Sequence, residues 1–287
     1  MFKFVGKFKI WFSISLVVII IGMFMLFTKG LNFGIDFKGG TIVQIAMNQE
    51  FNKPDVDEII KKYTKEFQTN KAFSEGKIEL EIKSNSLDNN GIDKVFKDIK
   101  AKYKKAELKS QEVMGASVGN ELKKKAFTSS ILAIIAMLIY IGFRFEFRFG
   151  LAAVIALLHD ILVTISVYAI FQVPVNSPFI AAILTILGYS INDTIVVFDR
   201  IRENQRKLRG KKVSEIADKS INETMTRSIN TVITTLITIV SVNIFVPSVR
   251  EFSQPLIIGI ACGCYSSIFI ASPLWVIFKN RSKRARA

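Results

Sequence analysis

Chemistry-bearing side chains are scarce in this 287-residue sequence, which holds two cysteines, one histidine and six prolines. Cys262 and Cys264 share one apolar run, two positions apart, so on a helix they do not face each other. They are expected to be packing residues, giving neither a disulfide framework nor a metal site. Paired His-Glu-x-x-His ligands and an activated Ser or Cys are missing, which argues against a membrane-embedded hydrolase. A GxxxxGK segment followed by Ser or Thr is missing as well, so no phosphate-cradling loop harvests nucleotide energy. The chain therefore reads as a protein that is not an enzyme and needs no cofactor. Acidic residues are also few, 24 against 39 Lys and Arg, for a net charge of +15.

Half of the residues are hydrophobic, and this coexists with 22% charged residues only if the two kinds are segregated along the chain. Uncharged runs at 10–28, 126–143, 161–192, 228–249 and 252–278 are each long enough to cross a bilayer core of about 30 Å, for which roughly 20 helical residues suffice. The third is too long for one helix. The segment QVPVNSP at 172–178 divides it into helices near 150–171 and 178–199, making six spans. The first run exceeds a signal-peptide core of about 7–15 residues and no small-residue cleavage pattern follows it, so it is expected to be retained.

Three regions follow. Residues 1–29 form a short basic N-terminus and the first span, residues 30–125 a small α+β domain outside the membrane, and residues 126–287 spans two to six with a basic tail. Lys and Arg concentrate at the N-terminus, after spans two and four, and in the tail, while the loops at 172–178 and 247–254 hold only Arg250 and Glu251 as charged residues. The positive-inside bias then puts both termini in the cytoplasm and the domain outside, in a multi-pass protein of the cytoplasmic membrane. The basicity is read as topology and contact with anionic membrane lipids, with no nucleic acid implied. In the domain, alternation predicts strands over 41–47, 77–84 and 106–113, and helical spacing predicts helices over 54–67 and 92–103.

Ionisable groups inside spans are costly and mark function by default. Asp193 lies six residues before Asp199, hence about 9 Å inside the cytoplasmic end, and shares a helix face with Thr185, Tyr189 and Asn192. It is either a silent capping group or a carboxyl able to load and release protons. Arg227 opens span five ahead of a stripe of Asn230, Thr231, Thr234, Thr238 and Ser241, which would line a water path or hydrogen-bond neighbouring helices. Because spans four and five are antiparallel, Arg227 enters at the end where Asp193 is buried. Asp160, near mid-span in span three, is a second proton site or a helix-to-helix hydrogen-bonding group. His159 beside it is taken as structural, since adjacent helical residues do not form a ready-made dyad. Gly259, Gly263, Ser266 and Ser267 make a small-residue face for close packing.

Five segments carry a family resemblance: FGIDFKGGT at 33–41, VGNEL at 118–122, RFEFRFG at 144–150, GYSINDTIVVFDRIREN at 188–204 and YSSIFIA at 265–271. Together they resemble the SecF family of protein-export membrane subunits, a branch of the RND superfamily. The resemblance implies half of an RND-type bundle, six helices with one external domain between the first two, associated with a SecD subunit that supplies six more. It further implies assistance to the SecYEG translocon, drawing on the proton gradient to pull a polypeptide outward after the SecA motor has pushed it. On this resemblance Asp193 and Arg227 match the family's intramembrane charge pair, and Asp160 matches the span-three pattern without an equally firm role. Gly34, Asp36, Gly39 and Gly40 belong to the family motif and form a candidate hinge, or a simple turn into the first strand. Two rivals stand beside it. An RND-type small-molecule exporter would usually need two external domains and about twelve spans, and a passive translocon scaffold would tolerate neutralisation of Asp193.

Overall fold

The structure, a computed structural model, describes residues 2–74, 77–144 and 146–284. Of the basic tail, Arg286 lies outside the described residues. Six helical spans are long and apolar enough to cross a membrane, one for each expected span. They comprise α1 (Phe8–Lys29), α5 (Ala116–Arg144), α6 (Phe147–Phe171), α7 (Ser177–Lys207), α8 (Val213–Phe245) and the broken pair α9 (Arg250–Ser266) and α10 (Ser272–Arg284). A π-helical turn, Ser267–Ala271, joins α9 to α10.

Several helices run further than their apolar stretches. At 33 residues α8 is about 50 Å long, well beyond a bilayer core of about 30 Å. Its polar first third pairs with the end of α7, where Asn204 Nδ2 donates to Ser220 Oγ at 2.9 Å and Arg200 Nε to Glu223 Oε2 at 2.7 Å. Hydropathy marks how deep a helix goes, whereas good helix formers such as Glu, Lys and Arg carry it on into water. Likewise α5 begins at Ala116, so the expected boundary between residues 125 and 126 falls inside a helix.

Between α1 and α5 lies the α+β domain, which comprises α2 (Ile35–Lys38), β1 (Gly40–Ala46), α3 (Lys53–Lys61), β2 (Phe67–Ser74), β3 (Lys77–Ser84), α4 (Asn89–Lys102) and β4 (Glu107–Met114). The sheet is antiparallel in the order β2-β3-β1-β4. Three strands follow the expected alternation, but β2 was not foreseen, and the helix expected over 54–67 stops at Lys61 to make room for it. Alternate residues Val43 and Ile45 of β1 and Leu80 and Ile82 of β3 are buried against Val56, Ile59 and Ile60 of α3 and Ile92, Val95 and Ile99 of α4. Asp88 starts α4 by accepting the Gly91 amide at 2.8 Å, a side-chain N-cap that satisfies one of the free donors of the first turn.

Within the bundle, α9 lies close on α7. A Cβ on Gly259 would stand 2.2 Å from Ile186 Cδ1, so only glycine permits that approach. At the end holding both termini, Phe4, Phe149, Phe198 and Trp275 build an aromatic core in which Phe149 stacks on Trp275 at 4.9 Å. The amides of Phe4 and Val5 both donate to Asp218 Oδ1, at 2.8 and 2.9 Å, which ties the N-terminus to the polar third of α8. Spans α1, α5 and α8 leave most of their apolar surface outside this chain's core.

Ile60 is wholly buried at the centre of the α+β core. Truncation to Ile60→Ala is expected to cost about 2–5 kcal/mol through lost burial and a residual cavity, read as a lower urea midpoint for protease resistance of the domain in the full chain.

Candidate functional site

Two carboxyls sit among the packed spans in different surroundings. Asp160 on α6 is completely buried. Its Oδ2 accepts hydrogen bonds from Ser190 Oγ of α7 at 2.6 Å and Ser266 Oγ of α9 at 2.8 Å. Its Oδ1 lies 2.9 Å from His159 Nδ1. This last contact corrects the expectation that His159 and Asp160 form no dyad. Neighbouring residues leave a helix about 100° apart, but both side chains are long enough to turn back toward each other in the space between α6 and α9. Cys262 Sγ stands 3.9 Å from His159 Nδ1. Ligand-type atoms of His159, Asp160 and Cys262 thus lie within 4.8 Å of one another, a grouping across two helices that spacing along the chain does not reveal.

Asp193 on α7 has Ser228 of α8, Ser267 of the π turn and Arg227 as its polar surroundings. Its Oδ2 is buried yet makes no hydrogen bond. The carboxyl borders a cavity of about 80 Å³, shared with Tyr189, Ser190, Asn192, Arg227, Thr231 and Gly263 among others. This volume is well above the roughly 10–15 Å³ needed to admit one water. Arg227 and Asp193 therefore meet at one cavity, as the antiparallel α7–α8 arrangement predicts, but without an ion pair within 4.0 Å among the described residues. A second space of about 420 Å³ leads toward the domain end between α7, α8 and α9, past Thr185, Tyr189, Thr234, Thr238 and Phe252.

The Thr stripe is exposed, and its hydroxyls bond back along their own helix. Thr234 donates to Asn230 O at 2.9 Å, Thr238 to Thr234 O at 3.1 Å and Ser241 to Ile237 O at 2.7 Å. Arg227, Asn192 and Asn230 are exposed on the same side of the bundle.

At the start of the π turn two consecutive serines, about 100° apart around the helix, lie beside different carboxyls. Ser266 reaches Asp160, while Ser267 bonds Thr194 Oγ1 of α7 at 2.8 Å and lies beside Asp193. Such single-turn widenings in a helix occur often at functional sites. Ser190, which borders the Asp193 cavity and bonds Asp160, was not singled out from the sequence. Its position three residues before Asp193 on the same face was the available signal.

The glycine-rich segment after α1 docks on the loop between α6 and α7. Phe33 and Val175 form a parallel bridge, Gly34 N donates to Val175 O at 2.8 Å and Val175 N to Asn32 O at 2.9 Å. Asp36, buried, accepts the Ser177 amide at 2.8 Å and so caps α7 from outside the helix. A Cβ on Gly34 would stand 1.7 Å from Asn176 Oδ1, and Gly39 and Gly40 adopt φ of +81° and +150°. Gly34 serves a close approach and the other two a turn into β1, with Gly34 and Asp36 held at the domain end of α7.

Six spans with a single α+β domain between the first two, a buried carboxyl on the third and a half-buried one on the fourth, define a multi-pass membrane protein of the transport kind. A family model described as "Protein export membrane protein SecD/SecF, C-terminal" matches residues 94–281, and one described as "SecD/SecF GG Motif" matches residues 24–50. The chain belongs to the SecD/SecF family of protein-export membrane proteins. It is 42% identical over 281 residues to the protein translocase subunit SecF of Sebaldella termitidis, covering 96% of this chain and 91% of the relative. It is 36% identical over 292 residues to that of Magnetococcus marinus, covering 99% and 94%. Among solved structures, SecDF from Thermus thermophilus, a translocon-associated membrane protein, aligns with a TM-score of 0.82 at 32% identity over 97% of this chain and 39% of that one. SecDF in its super-membrane-facing form gives 0.77 at 32% identity over 99% and 40%. The chain thus spans about two fifths of the SecDF chains it matches.

Asp36→Ala removes the acceptor at the start of α7 and is expected to cost about 1–2 kcal/mol. Thermal unfolding of the purified protein in detergent checks this, with Asp36→Asn retaining part of the loss.

Proposed function

We propose that this chain is the SecF subunit of a protein translocase in which Asp193, protonated and deprotonated through the cavity it shares with Arg227, couples the proton gradient to polypeptide export. The observation that carries the reading is the contrast between the two carboxyls. Asp160 has its oxygens taken up by Ser190, Ser266 and His159, whereas Asp193 keeps a buried, unbonded Oδ2 at the edge of a water-sized space. A carboxyl that keeps an unbonded oxygen and borders a water-sized cavity, with a guanidinium on the same cavity, can exchange a proton. One locked by three hydrogen bonds suits a helix-to-helix tie, the role assigned to Asp160.

Loss of charge on Asp193 weakens its attraction for Arg227, the α7–α8 contact shifts, and the motif residues docked on α7 pass the shift to the α+β domain. The exposed polar side of α7 and α8, with Arg227 and Asn192 in the membrane, suits a cover of protein in place of lipid, and a SecD half is the partner of fitting size. The reading places the chain in the cytoplasmic membrane with both termini cytoplasmic, beside the SecYEG translocon, acting on chains that SecA has begun to move. Its work is mechanical, with no covalent step.

Export of a secretory preprotein into inverted membrane vesicles, with and without a proton gradient, tests this at equal membrane abundance. Asp193→Asn is expected to lower gradient-driven export to the level seen without a gradient, and Arg227→Met to impair it. Undiminished stimulation in Asp193→Asn means the carboxyl only packs, and the scaffold reading then holds.

A further inference from the structure

Two of the contacts between the α+β domain and the span bundle join segments remote in sequence. One is the motif junction on α7. The other is Lys83 of β3, whose Nζ lies 3.0 Å from Glu251 Oε1 in the first turn of α9 and 3.4 Å from Glu81 Oε1. This second contact is well shielded, with the two side chains 12% and 23% exposed. Burial disfavours the ammonium, but the carboxylates of Glu251, Glu81 and Asp36 outweigh it and hold Lys83 above the ordinary lysine value. An exposed ion pair would add little. In a shielded one, removal of either partner strands the other charge away from water.

The floor of the domain is not packed solidly onto the bundle. Spaces of about 280 and 580 Å³ border this pair, the first lined by Lys83 and the second by Glu251. Beside these spaces the two parts touch through particular side chains, Phe37 of α2 packing among Tyr168, Val175 and Phe179 and Lys83 pairing with Glu251. Of the covalent connections, α1 leaves most of its surface outside the core, while α5 packs its first turns on α2, where a Cβ on Gly119 would stand 2.5 Å from Phe37 O. Helix α9 is different. From Glu251 it runs about 24 Å to Ser267 beside Asp193, with Gly259 and Gly263 seated against Ile186 and Ser190 of α7 on the way. One helix thus holds the domain at one end and the surroundings of both buried carboxyls at the other.

We propose that Lys83 and Glu251 are coupling residues, the contact through which α9 moves the α+β domain during gradient-driven export. The inference rests on the reading of Asp193 given above. Like-charged and neutral replacements separate charge coupling from mere structure. In the inverted-vesicle assay, Lys83→Met and Glu251→Gln are expected to lower the gradient-stimulated rate at least about fivefold, equivalent to about 1 kcal/mol of lost coupling. Lys83→Arg, which keeps the charge and has room beside the flanking spaces, is expected to stay within about twofold of the parent. Accumulation in the same membranes should match the parent in all three. Full stimulation in Lys83→Met while Asp193→Asn loses it overturns the coupling role and leaves the gradient reading intact. Equal loss in Lys83→Arg and Lys83→Met overturns it too, since charge is then not what couples. Full stimulation in Asp193→Asn defeats the gradient reading itself, and this inference with it.

Discussion

A carboxyl group in the hydrocarbon of a membrane has to be hydrogen-bonded, paired with a cation or neutralised, because an isolated anion there costs many kcal/mol. The interior of this protein is organised around two such groups that meet the requirement differently. Asp160 is satisfied by side chains from α6, α7 and α9, so the carboxyl holds three helices in register. Asp193 is left with an unbonded oxygen at a cavity that also reaches Arg227. Ser190 bonds the first and borders the second, so the fixed carboxyl also holds one wall of the cavity beside the other.

The seam between α7 and α9 follows from that requirement. Serines can lie beside both carboxyls only if the two helices approach closely, which the glycines of α9 allow, and consecutive serines, about 100° apart around the helix, then meet different neighbours. At the other end of the same pair of helices the α+β domain is attached, to α7 through Asp36 and to α9 through Lys83 and Glu251. The domain is thus mounted on the helices closest to these carboxyls, in addition to its packing on α5, to which it is covalently joined.

How much of this a sequence displays depends on the range of the interaction. Span number and order are legible because twenty or so uncharged residues have few alternatives. Strands β1 and β3 are legible because Val43 and Ile45, or Leu80 and Ile82, alternate with polar residues. Strand β2 is not, since FQTNKAFS places Asn, Gln and Lys in an edge strand whose pairing with β3 supplies the order that its own composition does not. Asp193 and Arg227 stand out because charge in an apolar run is rare, and the hairpin of α7 and α8 brings them to one cavity. The serine partners of Asp160 and the Lys83–Glu251 pair depend on which elements meet across 30 to 168 positions of chain, and spacing within one element carries no trace of that.

The central claim is that the charge state of Asp193 sets the position of the α+β domain. Its most direct test is the distance between fluorophores on Lys94→Cys of α4 and Val246→Cys at the end of α8, in protein lacking Cys262 and Cys264 and reconstituted with its SecD partner. The account predicts that imposing a proton gradient shifts the distance distribution in the parent and leaves it fixed in Asp193→Asn. An equal shift in both proteins, or none in the parent, would contradict it.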